Sequence, residues 1–407
     1  MKKCWIEHLK SKKKFIIDIF INMAGTGISL LILQLLINPI LSRVIQAEQY
    51  GEMQTTMSIV YLLGGTFGGA LSTTRLIREY EYSERGIKAD FNLINLGCAL
   101  LIVITVPFIE LCYFHQINLI EICLTLFVCL LNYASNYYEV GLRLSLNYKA
   151  IFINKLLGCI GYFLGFFFFF IFRRWQFVYI GSLGLQSVYL IWKSRLFFES
   201  IRKSYLFPKT LHFFEGVWLS SLLSKALTYF DKVILYPMIG GAAVSIYFAA
   251  NVFGKLIIQV LEPITNVILS YISKDRSVER KTWKRSLLTG SLFCIAMYFL
   301  CTFLSKPILG VFYPQWVNDA VQLLPYATAG LCLTALNNII HPFVLKTINE
   351  KKLVFVNAVV LLCYIICAYV LLKIEGLVGC CQAMIICQLI KLLITVGFMT
   401  KETSKNV

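Results

Sequence analysis

Apolar residues run through this chain in about a dozen blocks of bilayer length, and nearly all Lys and Arg fall in every second gap between them. A helix that crosses a bilayer needs roughly 20 apolar residues, whereas a barrel strand needs about half that number with strict alternation, which the blocks lack. The pattern predicts an all-α membrane protein with twelve transmembrane helices, over residues 15–41, 53–76, 91–113, 119–141, 150–172, 177–192, 213–236, 242–272, 286–304, 320–343, 353–372 and 377–400. With the N-terminus inside, 28 of the 38 basic residues lie in inside segments, and 5 lie outside: Arg43, Arg173, Arg174, Lys306 and Lys373. So large a bias over short loops predicts a multi-pass membrane protein with both termini in the cytoplasm.

The longest inside gap between helices, 193–212, divides the spans into two sets of six, giving an N-terminal lobe over 1–205 and a C-terminal lobe over 206–407. Each half opens with a long helix, a short polar turn and a second helix that starts with small and aromatic residues. The stretches are LSRVIQAEQYGEMQTTMSIV from Leu41 and ILYPMIGGAAVSIYFAANVF from Ile234. Because six is even, the halves share one orientation, as in a parallel repeat about an axis along the membrane normal.

Composition excludes the soluble alternatives. With 58% hydrophobic and 14% charged residues, the chain has too little polar surface to coat a globule. The basic start MKKCWIEHLKSKKK precedes an apolar stretch too long for a signal-peptide core and without a small-residue cleavage site, so that stretch is expected to remain as the first helix. The net charge of +17 is dispersed over short loops with no nucleic-acid module, and membrane orientation accounts for it. The 14 cysteines fall mostly inside apolar spans, where they act as small side chains, and no spacing suits a metal; no cofactor is expected. No GxxxxGK[ST] motif is present for direct use of ATP, and no Ser/His/Asp constellation collects on one side.

Five basic residues break the alternation: Lys155, Lys225, Lys232, Lys255 and Lys391. Lys225, Lys255 and Lys391 sit near the middle of their spans, where a charge costs several kcal/mol unless it faces a wet cavity or a partner, so they are functional candidates. Lys155 and Lys232 lie close enough to helix ends to reach a headgroup, or to form a local pair with a neighbour such as Asp231. Among the acids, Asp18, Glu110, Glu121 and Glu139 read as solvated near the interfaces. Asp231 and Glu262 are deeper, and either pair with Lys225 or Lys255 or bind a coupling ion; Pro263 adds a kink beside Glu262. Tyr133 and Tyr137 share a helix face with Asn132 and Asn136 nearby, which suits either sugar contacts or an interfacial tyrosine belt. Gly64, Gly65, Gly68 and Gly69 have the spacing of close helix packing, and the run Phe166 to Phe170 reads as lipid-facing or core.

At LSRVIQAEQYG, residues 41–51, the chain resembles the polysaccharide-unit flippases. These form the Wzx-type, O-antigen branch of the multidrug/oligosaccharidyl-lipid/polysaccharide exporter superfamily, and they carry an Arg, a short turn and Tyr-Gly before the second helix. FDKVILYPMIGGAAVSIYFAA, residues 230–250, is similar to the family's Asp-basic pair followed by Gly and an aromatic, with Ser245 where a Gly is usual. LLPYATAGLCLTALNNIIHPFVLKTINEKKLVFVNAVV and GLVGCCQAMIICQLI complete a resemblance that spans the chain.

The resemblance implies two six-helix lobes around a central cavity that opens alternately to either side. It implies an undecaprenyl-pyrophosphate-linked oligosaccharide as substrate, for O-antigen, capsule or other surface polysaccharide. A pyrophosphate needs cationic donors in a low-dielectric cavity. Lys225, Lys255 and Lys391 are assigned to the anionic headgroup, Lys155 and Arg78 to its cytoplasmic mouth, and Tyr133, Asn136 and Tyr137 to sugar contacts. Asp231 and Glu262 are the candidates for a coupling ion, H+ or Na+. Membrane lipids and a glycan polymerase are the expected partners. An ion-coupled drug or metabolite antiporter of the same superfamily would favour cavity carboxylates over lysines. A peptidoglycan-precursor flippase usually has fourteen spans. A polysaccharide polymerase or acyltransferase would need a large outer loop or a catalytic His pair, and His115, His212 and His341 are scattered.

Overall fold

The computed structural model describes residues 17, 20–87, 89–272, 280–347 and 350–404; Asp18 and Lys88 lie outside them. Among the described residues every regular element is helical and none is a strand. A backbone in hydrocarbon has no water to bond, so an apolar block of this length satisfies its N–H and C=O groups by forming a helix. Twelve long helices result. They are α1 (Phe20–Val44), α2 (Ala47–Glu84), α3 (Phe91–Cys112), α4 (Leu119–Leu144), α5 (Tyr148–Phe172), α6 (Gln176–Ser194), α7 (Phe207–Ile239), α8 (Gly241–Ile272), α9 (Arg280–Phe312), α10 (Val317–Thr347), α11 (Glu350–Glu375) and α12 (Leu377–Ser404). Each covers one of the expected spans.

Among the described residues, eight of these helices (α1, α3, α4, α5 and α9 to α12) are long and apolar enough to cross a membrane by composition alone. In α2 and α6, which are more polar, many of the polar residues are buried. Gln54, Thr55, Thr66, Ser72 and Thr74 of α2 and Gln176, Ser182, Gln186 and Ser187 of α6 are all inside. Their polarity belongs to the protein interior, so a hydropathy window undercounts such spans. α2 also runs past its apolar block to Glu84, because Arg75–Glu79 (3.3 Å) and Arg78–Glu81 (3.0 Å) continue the helix with pairs one turn apart. In α1 the residues Leu33–Ile37 form a π-helical turn just before Asn38 and Pro39. Proline supplies no N–H, and a widened turn ahead of it is how a helix absorbs the missing bond.

The chain forms two compact units. The first comprises Met1–Ile37 and Thr56–Lys225, the second Asn38–Thr55 and Ala226–Val407, so the expected boundary at 205/206 falls inside the first unit. In the first unit α2 packs on α4 through Gly64 and Gly68. A Cβ on Gly64 would stand 2.6 Å from Asn132 Oδ1, and one on Gly68 would stand 2.7 Å from the Tyr133 carbonyl oxygen. The phenylalanine run divides between its two readings: Phe166 and Phe169 are buried, while Phe167, Phe168 and Phe170 are exposed.

The inside gap between α6 and α7 is docked on the first unit. Asn92 donates to the carbonyls of Leu196 (3.0 Å) and Glu199 (2.9 Å), and Arg75 donates to Glu199 Oε1 (2.7 Å). Asp90, fully buried, takes φ +72°, a conformation uncommon for a residue with a side chain. It is held there because its N–H donates to the Arg202 carbonyl (2.9 Å), while its carboxylate accepts from the Ser204 N–H (2.6 Å), the Ser204 hydroxyl and the Tyr82 hydroxyl (2.7 Å). Lys209 donates to Glu81 (3.2 Å) and holds that carboxyl below the usual range, so it stays ionised through the neutral range. Replacing Asp90 by Ala orphans these buried donors at about 1–3 kcal/mol each. The expected readout is faster trypsin cleavage after Arg202 and Lys203; an unchanged cleavage rate would refute the anchoring role.

In the second unit, Trp283, Leu336, Ile340, Phe343 and Met399 form one core of α9, α10 and α12, and Val356, Val360, Tyr364, Ala383 and Cys387 form another of α11 and α12. Gly376 (φ +60°) lets the chain reverse between those last two helices, donating its N–H to the Leu372 carbonyl (3.0 Å).

Candidate functional site

The two stretches read as the openings of the two halves meet within the second unit. The α7–α8 turn at Gly240 (φ +93°) leaves the first N–H groups of α8 without helical partners. Glu48, in the first turn of α2, supplies its carboxylate to them: Gly241 N–H donates to Oε1 (2.7 Å) and Ala242 N–H to Oε2 (2.9 Å). Ser245 donates to the Ala47 carbonyl (2.6 Å), so the position where a Gly is usual here adds a bond. Gly51 lies against the backbone of Gly241, too close for any side chain. Tyr50, fully buried, packs against Trp316 (5.0 Å between ring centres) and Phe248 (5.8 Å). Arg43 donates to the Val311 carbonyl (2.6 Å) and Gln315 to that of Ser42 (3.0 Å). This clamp joins the ends of α1 and α2 to the turns α7–α8 and α9–α10. Glu48→Ala is expected to cost about 1–2 kcal/mol through the lost charged cap. Gly51→Val should cost about 1–3 kcal/mol through overpacking. Both would register as a lowered Tm of the detergent-solubilised protein, and unchanged melting would refute the clamp.

Deeper in the same unit, Asp231 of α7 is buried and accepts a hydrogen bond from Lys255 of α8, Nζ to Oδ2 2.9 Å. Lys232, next in sequence, is buried as well, with its Nζ 6.0 Å from the centre of the Phe248 ring. It does not reach a headgroup, because its side chain lies inside the unit rather than along its surface. Tyr247 of α8, Tyr364 of α11 and Cys380 and Cys381 of α12 are buried within electrostatic reach of Asp231. The carboxylate of Asp231 is thus neutralised by Lys255, and it also accepts the Lys232 backbone N–H at Oδ1 (2.8 Å). The side chain of Glu262 lies outside the described residues.

Lys391, at the middle of α12, is half-buried and, among the described residues, forms no ion pair. Its titratable neighbour is another base, His341 of α10. One turn away Asn337 donates to the carbonyl (3.0 Å) and Oε1 (2.9 Å) of Gln388. Asn337, His341, Gln388 and Lys391 thus form a polar seam between α10 and α12. Sequence reading missed His341 as a neighbour of Lys391, because the two lie on different helices 50 positions apart.

In the first unit the expected residues have varied surroundings. Lys155 donates to Glu139 Oε2 (2.8 Å), and Arg143 to its Oε1 (2.5 Å). Glu139 and Glu110 are buried rather than solvated; for Glu139 the reason is that two cations neutralise it. Arg78 is buried and paired with Glu81. Tyr133 and Tyr137 are buried, Tyr133 donating to Asn95 Oδ1 (2.6 Å) and Tyr137 accepting from Arg75 (3.2 Å). Asn136 is exposed and donates to the Asn132 carbonyl (2.8 Å). Lys225 is half-buried and lies over Gly65, where a Cβ would stand 2.8 Å from its Nζ.

A family model described as polysaccharide biosynthesis protein matches residues 16–276, well over half of the chain. The chain belongs to that family. No curated protein matches it significantly. Among solved structures it is similar to the lipid II flippase MurJ in an inward closed conformation, at 18% identity and a TM-score of 0.72, covering 96% of this chain and 89% of that one. It is similar also to an inward-facing multidrug resistance transporter of the MATE family and MOP superfamily (12% identity, TM-score 0.62, 96% of each chain). A MATE structure in the bent conformation matches at 14% identity and a TM-score of 0.60, covering 97% and 96%. At such identities the likeness speaks for the fold, which is that of the transporters of this superfamily. For this member of the polysaccharide biosynthesis family, the clamp falls largely on the first two stretches of resemblance, and Asn337, His341 and Gln388 of the seam fall on the third.

Proposed function

We propose that this protein is a flippase. It carries undecaprenyl-pyrophosphate-linked oligosaccharide repeat units from the cytoplasmic to the outer leaflet of the inner membrane, by alternating access, for O-antigen, capsule or another surface polysaccharide. Lys391 carries this reading. A half-buried ammonium that pairs with no carboxylate among the described residues, in the middle of an apolar helix and beside a second base, is costly unless an anion visits it, and a pyrophosphate is such an anion. Lys255 and Lys225 are the further cations for the headgroup, Lys155 and Arg78 line its cytoplasmic mouth, and the accessible amide of Asn136 suits sugar hydroxyls. The charge bias of the loops supports cytoplasmic termini.

The antiporter reading is disfavoured by Asp231. A cationic drug needs an uncompensated carboxylate, and Lys255 already neutralises this one. The same pair favours H+ over Na+ as a coupling ion, since a metal ion at Asp231 would have to displace the ammonium. Deleting the gene should abolish surface glycan and leave lipid-linked repeat units on the inner leaflet, with restoration on re-expression. Normal glycan with increased drug susceptibility would instead support the antiporter.

A further inference from the structure

We propose that the outward face of the connector between α6 and α7, residues 193–209, binds the headgroups of anionic phospholipids. The backbone of this segment is fixed from beneath by Asn92, Asp90 and Arg75, and Leu196 and Leu206 are buried. What remains outside is of two kinds. Large apolar side chains protrude: Trp192 at the end of α6 is 68% exposed, Phe198 74%, Ile201 61% and Tyr205 69%. Between them stand the exposed Lys193, Arg195, Arg202 and Lys203, which form no ion pair among the described residues. The one acid of the segment, Glu199, is held inward by Arg75.

A protein that leaves this much aromatic surface in water invites association, and four unneutralised cations among the rings specify an anionic partner. The rings suit the boundary between headgroup and acyl chain, and the cations suit phosphate at the depth where α6 and α7 end. Since the segment is already ordered, binding loses little conformational entropy. The surface belongs to the first unit and is independent of which glycan is carried, so a failed flippase reading leaves the inference standing.

The test compares the full chain in nanodiscs of phosphatidylcholine with nanodiscs that also contain phosphatidylglycerol, reading hydrogen exchange at the amides of residues 200–203. Exchange should be about tenfold slower with phosphatidylglycerol at low salt, and the difference should collapse at high salt. The variant Lys193→Gln/Arg195→Gln/Arg202→Gln/Lys203→Gln should lose the difference. Lys284→Gln/Arg285→Gln, at exposed positions of the second unit, should keep it. Equal exchange of the unmodified protein in the two lipids overturns the proposal without reference to any variant, and so does a difference that survives in the four-site variant. Protection that arises in either lipid only on adding soluble cell extract would assign the face to a protein and overturn it as well.

Discussion

Lys391→Gln is expected to abolish surface display of the glycan while the protein stays at its normal level in the membrane. The side chain forms no ion pair among the described residues, so removing its charge carries little folding cost. On the proposed function, what would be lost is a charge-assisted contact to the pyrophosphate, of the size that reduces binding roughly ten- to hundredfold. Lys391→Arg keeps the charge but changes the donor geometry, and should retain part of the export. Glycan staining beside an immunoblot separates the outcomes; full display in Lys391→Gln would remove this residue from the site. The triple change of Lys225, Lys255 and Lys391 to Gln should be at least as severe, and normal display there would sink the headgroup assignment altogether.

The second large effect is on stability. Asp231→Ala leaves the Lys255 ammonium without its carboxylate, and breaking a buried pair from one side costs about 3–5 kcal/mol. The double change Asp231→Ala/Lys255→Met removes the orphaned charge and should recover much of that loss. Thermal unfolding in detergent reads both. If the double variant melts no higher than the single one, the 2.9 Å pair is not what holds these helices together. The two variants also separate folding from transport: a restored Tm with export still absent would mean that the pair takes part in the transport cycle.

The helices were legible because hydrophobic length is a strong local signal, and the Asp231–Lys255 pair was legible because two opposite charges deep in neighbouring spans have few other ways to be accommodated. Other features depend on which faces meet, and one chain's periodicity is silent about that. Tyr133 and Tyr137 have the spacing of a sugar-facing surface and of an interfacial belt, yet they lie buried against Asn95 and Arg75. Glu139 looked solvated because Lys155, its partner, is 16 positions away on the next helix. The connector was read as a loop because its anchors, Asn92 and Asp90, lie a hundred residues earlier and bond mostly to its backbone.

The Glu48 contact has a consequence for how relatives of this protein diverge. Its carboxylate is read by peptide N–H groups, which every residue except proline possesses, so the side chain at position 242 can drift without disturbing it. Position 241 is held by size, since a Cβ there would run into the Glu48 carbonyl oxygen, as one on Gly51 would run into the Gly241 backbone. Selection acting on this clamp would preserve an acid at one place and small residues at two others. No pair of side chains would change in concert, and a search for correlated substitutions would pass over a joint that links segments almost two hundred residues apart.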